Sequence, residues 1–307
     1  MLRRFLLYLS TARWARSIVV SWGLARRVAR RFVAGETLDE AAAVARTLNA
    51  RGLAVTLDCL GESVTRAEDT AAVVDAYQAA LARISQDHLD ASISLKLTHL
   101  GLDISEDLCL ANLRRILADA QTRGIPVTID MESSAHTEAT LRLYRTVRDG
   151  DGFANVGTVI QAYLRRSAAD MQALAAEGAH IRLCKGAYLE PPEIAFPDKA
   201  DVDASFVRLA AIFLDAPPPA YLCIATHDER MIAATEQHIR DRSIARERYE
   251  YQMLYGIRSA RQEELARAGH LMRVYVPFGT AWYPYFMRRL AERPANLWFF
   301  VRSLFQR

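Results

Sequence analysis

Five cations and one acid in this chain have the types and placement to do chemistry: Lys96, Arg182, Lys185, Arg288 and Arg289, with Asp130 among them. Arg288 and Arg289 are adjacent in "YFMRRLAERPAN", which reads as a helix. Neighbours on a helix point about 100° apart, so the two guanidinium groups fan out from one turn. Such a pair can grip a planar carboxylate or phosphate in bidentate fashion. The plainer reading is surface arginines that meet Glu292 at i+4 and i+3. Lys96 also has two readings. A Schiff-base lysine needs desolvation to lower its pKa, whereas an aspartate on the adjacent strand, Asp130, would keep it charged. Lys96 therefore reads as a fixed cation, and the set as a receptor for an anionic ligand. No Ser-His-Asp or Cys-His arrangement stands out, no two carboxylates have an evident catalytic spacing, and the seven histidines show no metal-ligand pattern.

Lys96, Asp130, Arg182 and Lys185 fall in or at the ends of short β-rich runs, and Arg288 and Arg289 follow the last of them. The runs are Leu53 to Gly61, Ser92 to Leu97, Ile125 to Glu132, Val156 to Leu164, His180 to Ala187, Tyr221 to His227, Tyr249 to Gly256 and His270 to Gly279. Helical segments such as "EDTAAVVDAYQAALARI" and "DLCLANLRRILADAQTRG" lie between them, and Gly124 and Gly178 mark helix ends. Eight strands alternating with helices predict an α/β fold, a (β/α)8 TIM-like barrel. Extra N-terminal helices precede it, and the helix that carries Arg288 and Arg289 follows the eighth run. A doubly wound open sheet is the runner-up, but it would want a GxGxxG turn, and none is present. A barrel puts its working groups at the C-terminal ends of strands. Lys96 is at the second such end, Asp130 and Glu132 at the third, and Gln161 and Tyr163 at the fourth. Arg182, Lys185 and Tyr188 follow at the fifth, Thr226 and His227 at the sixth, and Gln252 at the seventh; Tyr275 lies in the eighth run. Any one of them could be a solvated rim residue.

A chain of 307 residues with 51% hydrophobic content and a net charge of +3 can bury a sizeable core and has no general affinity for nucleic acid. Cys59, Cys109, Cys184 and Cys223 have no zinc-like spacing and read as buried, reduced thiols. Residues 1–31 hold eight arginines and no acid, yet their apolar runs fall short of the roughly 20 residues that a membrane span needs. A basic surface-lying helix and a helix packed on the domain are both open readings. The division expected is a basic helical segment over 1–45 and a barrel over 46–307.

The strings "SLKLTHLGLD", "IDME", "QAYLRRS", "RLCKGAY", "ATHD", "YQMLYG" and "YVPFGTAWYPYFMRRLAERPAN" occur in order on consecutive strands and resemble the proline dehydrogenases. The resemblance runs from about Phe32 to Asn296 and looks closest to the small monofunctional bacterial enzymes. It implies a final helix over the barrel mouth, FAD across the strand ends and oxidation of L-proline to 1-pyrroline-5-carboxylate, with hydride passing from C5 to flavin N5. By this resemblance Lys96, Arg288 and Arg289 clamp the substrate carboxylate, Glu292 steadies the arginine pair, and Glu62 is a gate that can pair with Arg288. Asp130 is a catalytic-site acid that orients Lys96, and Arg182 lies by flavin N5. Tyr275 and Leu254 wall the proline ring. Gln161, Lys185, Gly186 and Ala187 contact the flavin, Met131 does so through its backbone, and Thr226 and His227 hold the dinucleotide. The implied electron acceptor is a membrane quinone. The implied location is cytoplasmic or peripheral on the inner membrane face, where the basic N-terminus would make contact, with a pyrroline-5-carboxylate dehydrogenase as a further partner. Hydroxyproline dehydrogenase, a folate reductase relative, a Schiff-base lyase using Lys96 and a membrane-bound anion-binding protein are the competing readings.

Overall fold

A computed structural model describes residues 29–61 and 63–292, with side chains through Arg289. Eight strands run parallel in one closed barrel, each hydrogen-bonded to the next and β8 to β1. They are β1 (Ala54–Cys59), β2 (Ala91–Leu95), β3 (Val127–Ile129), β4 (Val156–Gln161), β5 (His180–Cys184), β6 (Tyr221–Ala225), β7 (Tyr249–Leu254) and β8 (Met272–Phe278). Helix α1 (Leu38–Asn49) precedes β1 and lies against β1 and β8. After the strands come α2 (Ala67–Gln86), α3 (Glu106–Thr122), α4 (Ser134–Arg145), α5 (Ser167–Ala176), α6 (Lys199–Leu214), α7 (Glu229–Asp241), α8 (Ser259–Arg267) and α9 (Trp282–Glu292). The barrel expected from the eight runs is therefore present. The third run is shorter than its sequence suggests, because Pro126 has no N–H for the ladder and the chain leaves the sheet after Ile129.

Local signals set the helix ends. Thr37 and Glu40 form a reciprocal capping box at the start of α1. At the end of α3, Gly124 takes φ +66° and the Ile125 N–H bonds to the Ala120 carbonyl at 2.9 Å, closing the helix before β3.

The two faces of the barrel wall differ in kind. Side chains alternate across a strand. Val55 and Leu57, Ile93 and Leu95, and Ile181 and Leu183 form one face, and they share an apolar cluster with Val74, Tyr77 and Leu81 of α2 and Leu113, Ile116 and Leu117 of α3. The alternate residues Thr56, Asp58, Ser92, Ser94, Arg182, Glu250 and Gln252 are equally buried but polar, and they bond to one another across the interior. Such barrels are usually filled by branched apolar side chains; this one holds polar and charged side chains at these positions.

Residues 34 and 35 bond to the end of β8, through Ala34 N–H to Pro277 O and Gly279 N–H to Gly35 O, both at 2.9 Å. Trp282 donates to Glu36 at 3.2 Å, and the rings of Phe286 and Phe32 lie 6.3 Å apart. These contacts return α9 across the strand ends. Among the described residues no helix is long and apolar enough to cross a membrane. Most of the basic N-terminal segment, residues 1–28, lies outside the described residues.

Candidate active site

Lys96 sits one residue past β2, at the start of a tight turn. The turn is closed by His99 N–H to Lys96 O at 3.2 Å and Leu100 N–H to Leu97 O at 3.0 Å. Glu132, beyond β3, holds the turn from the side by accepting from the Thr98 N–H at 3.1 Å and the Thr98 hydroxyl at 2.6 Å. The Lys96 ammonium thus points into the barrel, 8% exposed, 3.2 Å from Asp58 Oδ1 and 3.5 Å from Asp130 Oδ2. Burial opposes its charge, but Asp58 and then Asp130 outweigh that effect and hold its pKa above the usual lysine value. A neutral Schiff-base amine is the opposite condition.

Asp130 is a junction. Its Oδ1 accepts from Ser94 at 2.7 Å and from Arg182 Nη1 at 2.6 Å, and its Oδ2 accepts from the Tyr275 hydroxyl at 2.7 Å. Burial would raise its pKa, yet Lys96 and Arg182 together hold the carboxyl below the usual range. Asp58 differs: burial pushes its carboxyl up, with Lys96 pulling the other way. Arg182, 6% exposed, lies over the Tyr275 ring at 5.2 Å and donates through Nε to Gln252 Oε1 at 2.6 Å.

A cleft of about 320 Å³ opens beside this junction, near the lower end of the usual range for small-molecule pockets. Leu60, Lys96, His99, Tyr285 and Arg288 line it. The structure therefore brings Arg288, from α9, to the same space as Lys96. Arg289 instead lies over the Tyr285 ring at 5.0 Å. Leu254 is half-buried at the end of β7, and its N–H donates to His227 Nε2 at 2.9 Å. Glu62 and the side chain of Glu292 lie outside the described residues.

The β4 to β6 side of the mouth is suited to a larger ligand. Gln161 donates to the Met131 carbonyl at 3.3 Å. Gln161 Oε1 and Arg182 Nη2 are both buried and have no hydrogen-bond partner among the described residues. A flavin ring carries acceptors and an N–H donor along one edge, which suits one donor and one acceptor offered from adjacent strands. Gly186 has φ +103°, and a Cβ there would fall 2.2 Å from the Tyr163 ring, so only bare backbone passes. Gly186 and Ala187 are half-buried on this exit from β5. Lys185 reaches Asp203 at 2.5 Å and Asp228 at 2.8 Å, and Thr226 accepts from the Asp228 N–H at 3.1 Å. The donor set fits a flavin nucleotide.

Residues 41–302 match the family described as proline dehydrogenase. The chain belongs to the proline dehydrogenase family. As a member of it the chain is an oxidoreductase. It is 43% identical over 307 residues to proline dehydrogenase 1 of Bacillus subtilis strain 168, covering 100% of both chains. It is 39% identical over 293 residues to the proline dehydrogenase of Deinococcus radiodurans, covering 92% of this chain and 90% of that one. Among solved structures, proline utilization A of Bdellovibrio bacteriovorus, inactivated by N-propargylglycine, superposes with a TM-score of 0.81 at 26% identity. That match covers 87% of this chain and 33% of the longer one, so the chain spans about a third of that protein.

In this family member, Lys96, Asp130, Arg182 and Tyr275 form one contiguous group, and Arg288 shares a cleft with Lys96. Met131 with Gln161, and Leu254 with His227, are two further pairs in direct contact. Sequence reasoning missed Asp58, which is closer to Lys96 than Asp130 is. Its signal was the alternation of Thr56 and Asp58 on one face of β1. Asp203 and Asp228 were missed as well, because only the fold brings them to Lys185.

Proposed function

We propose that this enzyme oxidises L-proline to 1-pyrroline-5-carboxylate, the first step of proline degradation. FAD, bound across the strand ends, would supply the two-electron acceptor. The observation that carries this reading is the cleft shared by Lys96 and Arg288, opening beside the buried Asp130–Arg182–Tyr275 junction. Lys96 and Arg288 are the cations that take the carboxylate, with Arg289 supporting them from the same turn. Asp58 and Asp130 keep Lys96 protonated, so the clamp stays cationic at neutral pH. Tyr275 and Leu254 wall the ring and orient C5, which is a proximity effect. The substrate nitrogen must shed its ammonium proton before its lone pair can assist loss of hydride from C5. Arg182 Nη2, buried and without a hydrogen-bond partner among the described residues, would face the flavin, where a fixed cation favours added negative charge. Gln161, Met131, Gly186 and Ala187 flank the flavin, and Lys185, Thr226 and His227 the dinucleotide. Glu62 and Glu292 would gate and brace the arginines.

A membrane quinone is the proposed electron acceptor. The proposed location is the cytoplasm or the inner membrane face, reached through the basic N-terminus. A pyrroline-5-carboxylate dehydrogenase would take the product. The first test is colour. Purified protein should show an oxidised-flavin spectrum that anaerobic L-proline bleaches. A colourless protein, or a yellow one that proline leaves unchanged, defeats the reading.

A further inference from the structure

Arg182 is pinned on two edges, and one of them depends on an amide that could face either way. Its Nη1 is held by Asp130 at 2.6 Å and Ser94 at 3.0 Å, and its Nε by Gln252 Oε1 at 2.6 Å. A glutamine amide carries an acceptor and a donor that exchange places on a half-turn. If Gln252 flipped, its NH2 would confront the guanidinium, donor against donor, and the bond would be lost.

What blocks the flip lies two residues earlier on the same face of β7. Glu250 Oε1 accepts from Gln252 Nε2 at 2.5 Å. A carboxylate can only accept, so the amide nitrogen must face Glu250 and the oxygen must face Arg182. Glu250 is itself fixed deeper in the barrel. Arg273 donates to both of its oxygens, from Nε at 2.9 Å and from Nη2 at 3.2 Å, and the Tyr221 hydroxyl donates at 3.3 Å. Arg273 is tied in turn to the Val55 carbonyl at 3.0 Å. The strand register makes this chain of contacts: Cys223 of β6 stands opposite both Arg182 of β5 and Glu250 of β7, and Gln252 stands opposite Arg273 of β8. Glu250 is 2% and Gln252 5% exposed, so water does not compete for these bonds.

We propose that Glu250, anchored by Arg273, is a positioning residue for the oxidation: it fixes the orientation of the Gln252 amide and through it the guanidinium of Arg182 at the cofactor side of the mouth. This rests on the function proposed above. The competing account is that Glu250 and Arg273 form an ion pair that only stabilises the inner end of the barrel.

The test uses the full-length holoenzyme and two changes. Glu250→Gln with Arg273→Met removes the anchor while keeping the interior charge balanced. Gln252→Leu removes the amide and leaves the ion pair intact. Three quantities are read: the limiting rate of flavin bleaching by proline, the dissociation constant of FAD, and the dissociation constant of tetrahydro-2-furoic acid. Each change should slow bleaching by roughly 10- to 100-fold, the value of one charge-assisted hydrogen bond. Each should also weaken FAD. The ring carboxylate should bind as in wild type, because its clamp is Lys96 and Arg288. Combining the changes should add nothing further, since both act through one bond. If the anchor variant does not fold, Glu250→Asp, which keeps the charge and withdraws the carboxylate by one methylene, takes its place in the same comparison. Wild-type bleaching and FAD affinity in a folded anchor variant overturn the proposal, as do deficits that multiply on combination. If proline fails to bleach wild-type protein, the proposed function is wrong, while the FAD measurements still report on the amide.

Discussion

Two ionic clusters stand in this barrel, built from the same residue types, and the exposure of their cations separates them, although Asp203 of the outer cluster is itself buried. The interior cluster joins Lys96, Arg182 and Arg273 to Asp58, Asp130 and Glu250. The rim cluster joins Lys185, Lys199 and Arg230 to Asp203 and Asp228. Lys96 and Arg182 are 8% and 6% exposed, whereas the Lys199 and Arg230 side chains are 66% and 67% exposed. Distances do not tell the two apart, because both contain contacts of 2.5–2.8 Å. Dielectric does. A pair removed from water costs several kcal/mol when one partner is lost, whereas an exposed pair is worth about 0–1 kcal/mol. The interior cluster can therefore fix geometry, and the rim cluster can exchange partners when an anion arrives.

The sharpest way to break this contrast is Asp130→Ala. It leaves Lys96 and Arg182 short of an anion and strips partners from Ser94 and Tyr275. The expected loss is about 3–5 kcal/mol in urea unfolding, nearly independent of salt. A loss under about 1 kcal/mol would mean that the interior charges are hydrated, and the contrast would fail.

Next comes the proposed carboxylate clamp. Lys96→Met, Arg288→Ala and Arg289→Ala should each retain FAD. Lys96→Met and Arg288→Ala should weaken proline and tetrahydro-2-furoic acid by roughly 2–5 kcal/mol, about 30-fold to several-thousand-fold, and Arg289→Ala, whose guanidinium lies over the Tyr285 ring, by less. Lysine at 288 or 289 should restore part of the loss, since a point charge cannot reproduce the guanidinium fork. Pyrrolidine, which lacks the carboxylate, should react with the variants as it does with wild type. Unimpaired proline oxidation by the arginine variants would return Arg288 and Arg289 to the status of surface residues.

A smaller effect concerns pH. His180 packs on the Tyr221 ring at 4.7 Å and meets Cys223 Sγ at 3.1 Å, with Glu250, Arg273 and Arg182 nearby. Burial, opposed by Glu250 and reinforced by the two arginines, pushes its pKa down to about 4. The folded pKa lies below the unfolded one, so the unfolded chain takes up the proton first as pH falls. The stability that His180 contributes is fully present above about pH 6.5 and is lost progressively down to about 4, at most about 3 kcal/mol. His180→Gln should flatten that limb of the stability profile. An unchanged slope would show the ring to be open to water.

The same contrast explains what could be read from the sequence. The eight strands were legible because each is a β-rich run bounded by helical segments. Lys96 and Asp130 could be placed from the sequence because each follows the last residue of a strand, whereas Arg182 and Tyr275 lie mid-strand and reach the same junction only because the closed sheet turns their face inward. Glu250 in "YEYQ" and Arg273 in "HLMRVYV" were not. Alternating polar and apolar residues ordinarily mean one face in water. Only closure of the sheet turns that polar face inward and makes Glu250 and Arg273 a buried pair. The rim acids were hidden for another reason: Asp203 lies on α6 and Asp228 precedes α7, so their meeting with Lys185 depends on how two helices are laid against the strands.

The smallest expected effect sets the other end of the comparison. Lys199 shares Asp203 and Asp228 with Lys185 and Arg230, at 2.6 and 3.3 Å. Lys199→Ala leaves both acids with two cations, so neither is stranded. Its stability cost should stay under about 1 kcal/mol in dilute buffer and vanish at about 1 M salt, where the screening length is about 3 Å. The same substitution relaxes the hold on Asp203 and Asp228 and leaves those acids more of Lys185, so FAD should bind slightly less tightly. A cost above about 2 kcal/mol that persists at high salt would place Lys199 in the same low-dielectric interior as Asp130, and the division between a rigid core and an exchangeable rim would have to be withdrawn.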